Sequence, residues 1–498
     1  MLLLESRKTV QEARSRNPEE TDGPGEFDRP ATDSAHLVVD GGREPPADGP
    51  LSVTVAGDKS VSHRALLAAL LPGAPPVLSV RNANAGGAVR ALLPALGALG
   101  LRVDADGDTL VVRRPVAPVP QRTRGHPAIT SWPEDVPYLE TGGSSAAARL
   151  LIGILAGTGT RAVVDGDDVL RHRPMEWLVE PLRELGADLE YLAEPGRLPV
   201  YVRGPVCRTR TVELSVGSAQ ARSGVLLALA AADLPATVRH SVRSRDHTER
   251  MLTAFGGRLS EAPGETRWAG GPCTIPSVID VPADPSLAAY PVAAHLMWGG
   301  THALRVPNVC LNPTRLGFFE VLRRAGADIA YEDRQVTGSG EPCGTVVARG
   351  GLNGIDSVRV DEPAVLHSLL DEVPLLAVVA ARLPGTSWIG CAEELRFKET
   401  DRLDTTARMA TAFGASVEPA PDGLTVVGGA ALRAGPVPAF EDHRIAMAAG
   451  TLAMCLPGRT TVWGGACHRT SFPDFAEVQR AIGARIAEEE VSDDRGDD

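Results

Sequence analysis

The sequence predicts an α/β protein of two lobes, assembled from six related units of mixed helix and strand. One short pattern recurs six times: an apolar or small residue, glycine, a small residue, any residue and an aliphatic one, each time closing an amphipathic run. The copies are Leu99-Gly100-Leu101-Arg102-Val103, Leu185-Gly186-Ala187-Asp188-Leu189, Phe255-Gly256-Gly257-Arg258-Leu259, Ala325-Gly326-Ala327-Asp328-Ile329, Phe413-Gly414-Ala415-Ser416-Val417 and Ile482-Gly483-Ala484-Arg485-Ile486. The first copy carries leucine where the others carry a small residue. Their glycines lie 86, 70, 70, 88 and 69 residues apart, too even for coincidence and too long for a solenoid of roughly 20–50-residue repeats.

Each copy reads as a helix stopped by glycine, which enters the left-handed region without a Cβ clash. A strand, a polar turn and a second strand follow, as in Ala187-Asp188-Leu189-Glu190-Tyr191 and then Leu198-Pro199-Val200-Tyr201-Val202. The two longer intervals end at copies two and five, which divides six units into three and three. Two lobes imply a cleft between them, where small-ligand sites concentrate.

Composition limits the function classes. At 498 residues the chain can hold two or three domains with ample cores. No apolar run reaches the ~18 residues of a membrane helix, and Met1-Leu2-Leu3-Leu4-Glu5 is too short for a secretory core. Seven cysteines, odd in number and never spaced C-x-x-C, fit a reduced cytoplasmic setting without structural zinc. The net charge of −13 resides in the tails: residues 1–50 hold 11 acidic and 6 basic residues, and residues 488–498 hold 7 and 1. Both tails read as disordered, and the acidic residues of the first argue against an organellar transit peptide. No basic stripe interleaved with aromatics points to nucleic acid. The expected organisation is an extension over 1–50, a first lobe over 51–278 whose first strand is free to cross to the other lobe, a second lobe over 279–487, and an acidic tail over 488–498.

Cations cluster at motifs that otherwise resemble helix starts. Gly57-Asp58-Lys59-Ser60-Val61-Ser62-His63-Arg64 follows an apolar strand and opens an apolar helix. It reads either as an ordinary capped helix or as an anion site made of free backbone N–H groups, Lys59 and Arg64. It lacks the spacing of a Walker loop. In Arg171-His172-Arg173-Pro174-Met175, proline fixes the chain so that Arg173 can lie off a helix N-terminus. Ser218-Ala219-Gln220 and Ser244-Arg245-Asp246-His247 also precede helices, so the first half suits a doubly anionic ligand. In the second half Asp371-Glu372 precedes a long apolar helix, as a plain cap or as a base. Arg396-Phe397-Lys398-Glu399-Thr400-Asp401-Arg402 packs three cations and two anions into seven residues, and Asp442-His443-Arg444 opens a further helix.

These strings, with Leu311-Asn312-Pro313-Thr314-Arg315 and Thr470-Ser471-Phe472-Pro473, stand in the order found in the enolpyruvyl transferases, and the chain resembles that family from about residue 51 to 486. The resemblance implies two lobes of three βαβαββ units each, in agreement with the six glycine repeats. It implies an enzyme that moves the enolpyruvyl group of phosphoenolpyruvate onto a hydroxyl and releases phosphate through a tetrahedral intermediate. The acceptor implied is shikimate-3-phosphate, reacting at its 5-hydroxyl, in aromatic amino acid biosynthesis. By resemblance Arg173, Arg402 and Arg444 hold phosphoenolpyruvate, with Lys59 and Gln220 between the two substrates. Ser60, Arg64, Ser218, Ala219, Gln220, Arg245, Asp371 and Lys398 match acceptor-binding positions. Asp371 is the expected acceptor of the hydroxyl proton, and Glu399 or Lys59 the donor to the methylene carbon. No metal or cofactor is implied, the partners are small molecules alone, and a monomer is expected.

Two departures bear on the substrate. Where the family shows a Gly-Asn-[Ala/Ser]-[Gly/Ala]-Thr loop, the chain reads Thr141-Gly142-Gly143-Ser144-Ser145-Ala146-Ala147-Ala148-Arg149. Arg81-Asn82-Ala83-Asn84-Ala85-Gly86-Gly87 lacks the usual acidic residue. They motivate a second reading, transfer to another phosphorylated hydroxyl compound such as a nucleoside monophosphate. A sister activity on UDP-N-acetylglucosamine is disfavoured, because no cysteine precedes Cys207. A catalytically silent relative would not be expected to retain Lys59, Asp371, Glu399 and three arginines together.

Overall fold

All six repeat glycines take positive φ, between +86° and +114°. At every copy the residue after the glycine donates its N–H five residues back: Leu101 to Leu96, Ala187 to Leu182, Gly257 to Leu252, Ala327 to Leu322, Ala415 to Ala410 and Ala484 to Gln479. This left-handed cap satisfies carbonyls that the helix end leaves free and turns the chain into a strand. The computed structural model describes residues 35–42, 51–114, 133, 136–241 and 244–490.

Six four-stranded sheets follow from the six units. The second unit shows the plan. Strand Tyr138–Glu140 leads through helix Ser145–Thr158 to strand Ala162–Asp165, and helix Glu176–Glu184 leads to the hairpin Asp188–Tyr191 and Val200–Gly204. The first two strands pair parallel, which requires the crossover helix, and the last two pair antiparallel. In four of the sheets the spatial order of the strands along the chain is first, second, fourth, third, and in the other two a strand from elsewhere in the chain fills one place.

Two units exchange their first strands. Val278–Asp280 pairs parallel with Val77–Arg81, whereas Leu51–Ser52 pairs parallel with the Gly300–Cys310 strand. The chain therefore passes between the lobes twice, and the two passages touch where Gly57 bridges Ala283. A Cβ at Gly57 would lie 1.8 Å from the Asn82 carbonyl oxygen, so only glycine fits this crossing. Two hydrophobic cores result, one drawn from Val61 to Val281 and the other from Leu37 to Val55 and Ala283 to Ile486.

The expectation of a structureless extension over 1–50 fails at His36–Gly41, which is a strand between Gly458–Trp463 and Ile486–Glu489. It supplies the fourth strand of the sixth sheet and buries Leu37, Val38 and Val39. Backbone pairing on both sides and this apolar run hold it. Glu488 and Glu489 likewise belong to a strand rather than to a free acidic tail. Residues 1–34, 43–50 and 491–498 lie outside the described residues; among the described ones no helix is long and apolar enough to cross a membrane and all seven cysteines are unpaired.

Each unit has one largely buried helix, and in five of the six a side-chain oxygen caps its N-terminus. In the first lobe Asp58, Ser144 and Ser218 accept from the N–H groups of Val61, Ala147 and Ala221. In the second Asp284 and Asp442 cap Pro285–Trp298 and His443–Met454, and Glu372 precedes Val373–Ala381.

The glycine caps are directly testable. In Gly186→Ala a left-handed backbone would carry a Cβ lying 2.6 Å from the Cys207 sulfur. A loss of about 1–2 kcal/mol is expected from the backbone alone, lowering the thermal midpoint by roughly 2–5 °C with turnover at 25 °C retained. An unchanged midpoint would show that the left-handed cap is not required there.

Candidate active site

Helix starts from both lobes supply the predicted site residues, and Asp371 is where they meet. Its Oδ2 lies 2.7 Å from Arg245 Nη2 and 3.7 Å from Arg444 Nη2, and its Oδ1 lies 3.8 Å from Arg402 Nη1. Arg245 belongs to the first lobe and the other two arginines to the second. Burial alone would raise the Asp371 carboxyl, but Arg245, Arg444, Lys59 and Arg402 outweigh it and hold it well below the ordinary carboxylate value. Asp371 is thus an anion gathered among four cations.

Arg402 extends the cluster. It is fully buried, with Nε 2.8 Å from Asp442 Oδ2 and Nη2 paired with Glu399. The other oxygen of Glu399 lies 3.6 Å from Arg173 Nη2, so this carboxylate also spans the lobes. Burial would raise the Glu399 carboxyl, yet Arg402, His443 and Arg173 drive it far below its usual value. His443 is kept neutral, its proton affinity lowered to about 3 by burial and by Arg444.

Arg444 holds uncommitted donors. Its Nε and Nη1 are buried and make no hydrogen bond within the protein. A guanidinium with free, preorganised N–H groups suits a carboxylate or phosphate. Lys59 lies in the same field: burial and Arg444 lower its proton affinity, and Asp371, Glu399 and Asp284 partly restore it. A lysine so placed releases its proton more readily than a solvated one.

The helix start at Lys59 takes the capped form of the two readings. Its N–H groups are not free: Lys59 donates to Asp284 Oδ2 at 3.1 Å and Val61 to Asp58 Oδ1 at 2.9 Å. Arg64 departs from expectation. Its Nε donates to Thr248 Oγ1, its Nη2 to Ser223 Oγ and its Nη1 to the Ser60 carbonyl, and it is buried. Arg64 therefore ties three helices together and fixes Ser60, while the side chains of Lys59 and Ser60 remain as the polar groups of that start.

Gln220 is positioned by an arginine to which the sequence reading gave no role. Arg149, one turn into the apolar Ser145–Thr158 helix, donates to Gln220 Oε1 at 2.5 Å and to the Pro174 carbonyl at 2.9 Å. It joins Gln220 to the turn bearing Arg173. An arginine inside an otherwise apolar run was the available signal. The divergent loop before it has its own logic: a Cβ at Gly143 would lie 2.9 Å from Asp167 Oδ2, and Ser144 caps the helix while hydrogen-bonding His63. Ser218 caps the helix that begins with Ala219 and Gln220. Lys398 is paired with Glu394, which in turn faces His367 at 3.7 Å. Arg171 is committed to Asp165 and Asp168. Among the described residues no group of three His, Cys, Asp or Glu side chains could hold a metal ion.

The arrangement offers cations from two lobes, two ionised carboxylates that span them, and one lysine poised to give a proton. Relatives carry the same framework. A sequence profile of the EPSP synthase family, described as 3-phosphoshikimate 1-carboxyvinyltransferase, matches residues 49–478. A protein of that description from Roseiflexus castenholzii is 38% identical over 437 residues, covering 86% of this chain and 96% of the relative. Another, from Pelotomaculum thermopropionicum, is 36% identical over 437 residues, covering 86% and 95%. Among solved structures, EPSP synthase from Acinetobacter baumannii superposes with a TM-score of 0.77 at 28% identity, over 91% of this chain and 100% of that one. The enolpyruvyl transferase NikO from Streptomyces tendae gives 0.70 at 18% identity, over 92% and 100%, a likeness of fold. With a profile matched across most of its length and relatives above one-third identity, the chain belongs to the EPSP synthase family.

Proposed function

We propose that the chain transfers the enolpyruvyl group of phosphoenolpyruvate to the 5-hydroxyl of shikimate-3-phosphate and releases phosphate. The observation that carries this reading is the Asp371 centre, one ionised carboxylate among Arg245, Arg402, Arg444 and Lys59, beside the uncommitted N–H groups of Arg444. Family membership supports the same reaction. Arg173, Arg402 and Arg444 take the carboxylate and phosphate of phosphoenolpyruvate, with Lys59 and Gln220 between the substrates. Ser60, Ser218, Ala219, Arg245 and Lys398 take the acceptor.

The chemistry divides into two steps. In the addition, the acceptor oxygen bonds to C2 of the enolpyruvyl group as C3 gains a proton, and Asp371 takes the hydroxyl proton. In the elimination, the C2–O bond to phosphate breaks as C3 returns a proton, leaving an enolpyruvyl ether and phosphate. Lys59, with its lowered proton affinity, is the fitting donor to C3; Glu399, ionised beside Arg402, is the fitting acceptor on the return. Charge fixed before reaction stabilises the intermediate without reorganisation. Unpaired cysteines suit a cytoplasmic setting.

Phosphate release from phosphoenolpyruvate, measured with shikimate-3-phosphate beside a panel of nucleoside monophosphates, tests the acceptor. Release with shikimate-3-phosphate is expected; release only with a nucleotide would replace the acceptor, and none at all would leave a silent relative. Asp371→Asn and Glu399→Gln are expected to stay folded at 25 °C and to lose roughly 10²–10³ in kcat. Normal turnover by a folded variant would remove that residue from the mechanism.

A further inference from the structure

The Leu311–Arg315 string stands apart from the reacting groups, yet its turn reaches across to the first lobe at two places, Asp58 and Asp246. Arg315 is buried and forks across the chain crossing. Its Nη1 lies 2.6 Å from Asp58 Oδ2, and its Nη2 lies 2.8 Å from both Asp284 Oδ1 and Ser286 Oγ. Asp58 caps the Lys59–Leu67 helix, and Asp284 also takes the Lys59 N–H.

Three residues earlier, Asn312 reaches a second first-lobe helix. Its Nδ2 donates to Asp246 Oδ1 at 2.7 Å and to Glu341 Oε2 at 3.1 Å, while its Oδ1 accepts from the Thr314 N–H and hydroxyl. Every hydrogen-bonding position of this buried amide is directed, since a flipped amide would set its oxygen against two carboxylates. Glu341 then pairs through Oε1 with His247 Nδ1 at 2.8 Å, at the start of the His247–Ala254 helix. Asp246 is held in addition by Arg250.

The two prongs end next to site residues. Asp58 immediately precedes Lys59, and Asp246 immediately follows Arg245, the cation that reaches Asp371 at 2.7 Å. We infer that the Asn312–Arg315 turn, backed by Glu341, is a two-pronged clasp that holds Lys59 and Arg245 in register with Asp371. Asn312, Arg315 and Glu341 are positioning residues for the reaction, because none touches the reacting groups. A buried ionic network is a poor source of stability compared with apolar packing. Its directionality is what aligns two helix starts at once.

A double-mutant cycle with Asp246→Ala and Asn312→Ala tests the clasp on the full chain, read by kcat and KM for both substrates, thermal midpoint and small-angle scattering. Each single variant is expected to lower kcat/KM for shikimate-3-phosphate by roughly 10–10²-fold. The double variant should fall no further than the worse single, and the radius of gyration should rise with far-UV dichroism unchanged. Losses that multiply, or a lowered midpoint with kcat/KM within about twofold of the parent, would overturn the clasp. Glu341→Gln, nearly isosteric, stands in if an alanine variant does not fold: lowered kcat/KM at a retained midpoint supports the clasp, and unchanged kcat/KM overturns it. The kinetic arm rests on the reaction proposed above. Should the parent chain be inactive with this acceptor, that reading falls, while the scattering arm still decides the clasp: a larger radius supports it and an unchanged one overturns it.

Discussion

The attraction between Asp371 and the cations around it is the interaction on which the rest depends. Arg245, Arg402, Arg444 and Lys59 come from helix starts in two lobes and would repel one another if left alone. Like charges gathered on one carboxylate repel one another more strongly in a protein's low effective dielectric than in water. The half-buried carboxylate of Asp371, with Glu399 and Asp442 on Arg402, offsets part of that repulsion and leaves the group net positive. The site is therefore stable without substrate and still demands anions, which are what phosphoenolpyruvate and a sugar-like phosphate supply.

The fold delivers these charges by repetition. Each unit places the N-terminus of a buried helix where a polar cap, a cation or a carboxylate can stand, and the helix dipole favours negative charge there. Glycine caps let six such units follow one another, each helix turning sharply into its hairpin. The exchanged strands make the lobes interdependent, because each borrows a strand that the chain reaches only by crossing. The crossing at Gly57 and Ala283 is also where the Arg315 fork sits, so crossing and site involve residues separated by a single peptide bond.

Much of this was legible in the sequence because it is local. The glycine repeats, the helix starts and the motif strings each depend on a few adjacent residues, and the structure brings Lys59, Arg173, Arg245, Asp371, Glu399, Arg402 and Arg444 into one linked set of charges. What escaped notice depends on partners far along the chain. Arg64 reads as a ligand cation until Thr248 and Ser223 close on it. The N–H of Lys59 reads as free until Asp284, 225 residues away, takes it. The Leu37–Val39 run has no meaning inside an acidic tail until strands near residues 460 and 487 appear on either side. Arg149 shows the middle case, a local anomaly visible in the sequence whose purpose needs Gln220 and Pro174.

The account turns on Asp371 as the counter-ion of the cleft, and the most direct measurement is the thermal midpoint of Asp371→Asn against the parent chain, in chloride and with added inorganic phosphate. The account predicts a lower midpoint for the variant in chloride, since removing the carboxylate leaves Arg245, Arg402, Arg444 and Lys59 without their shared counter-ion. Phosphate should then raise the variant's midpoint by more than it raises the parent's, because an added anion replaces the missing charge. Equal midpoints with equal responses to phosphate would contradict it, and would mean that the cations are held apart by packing alone.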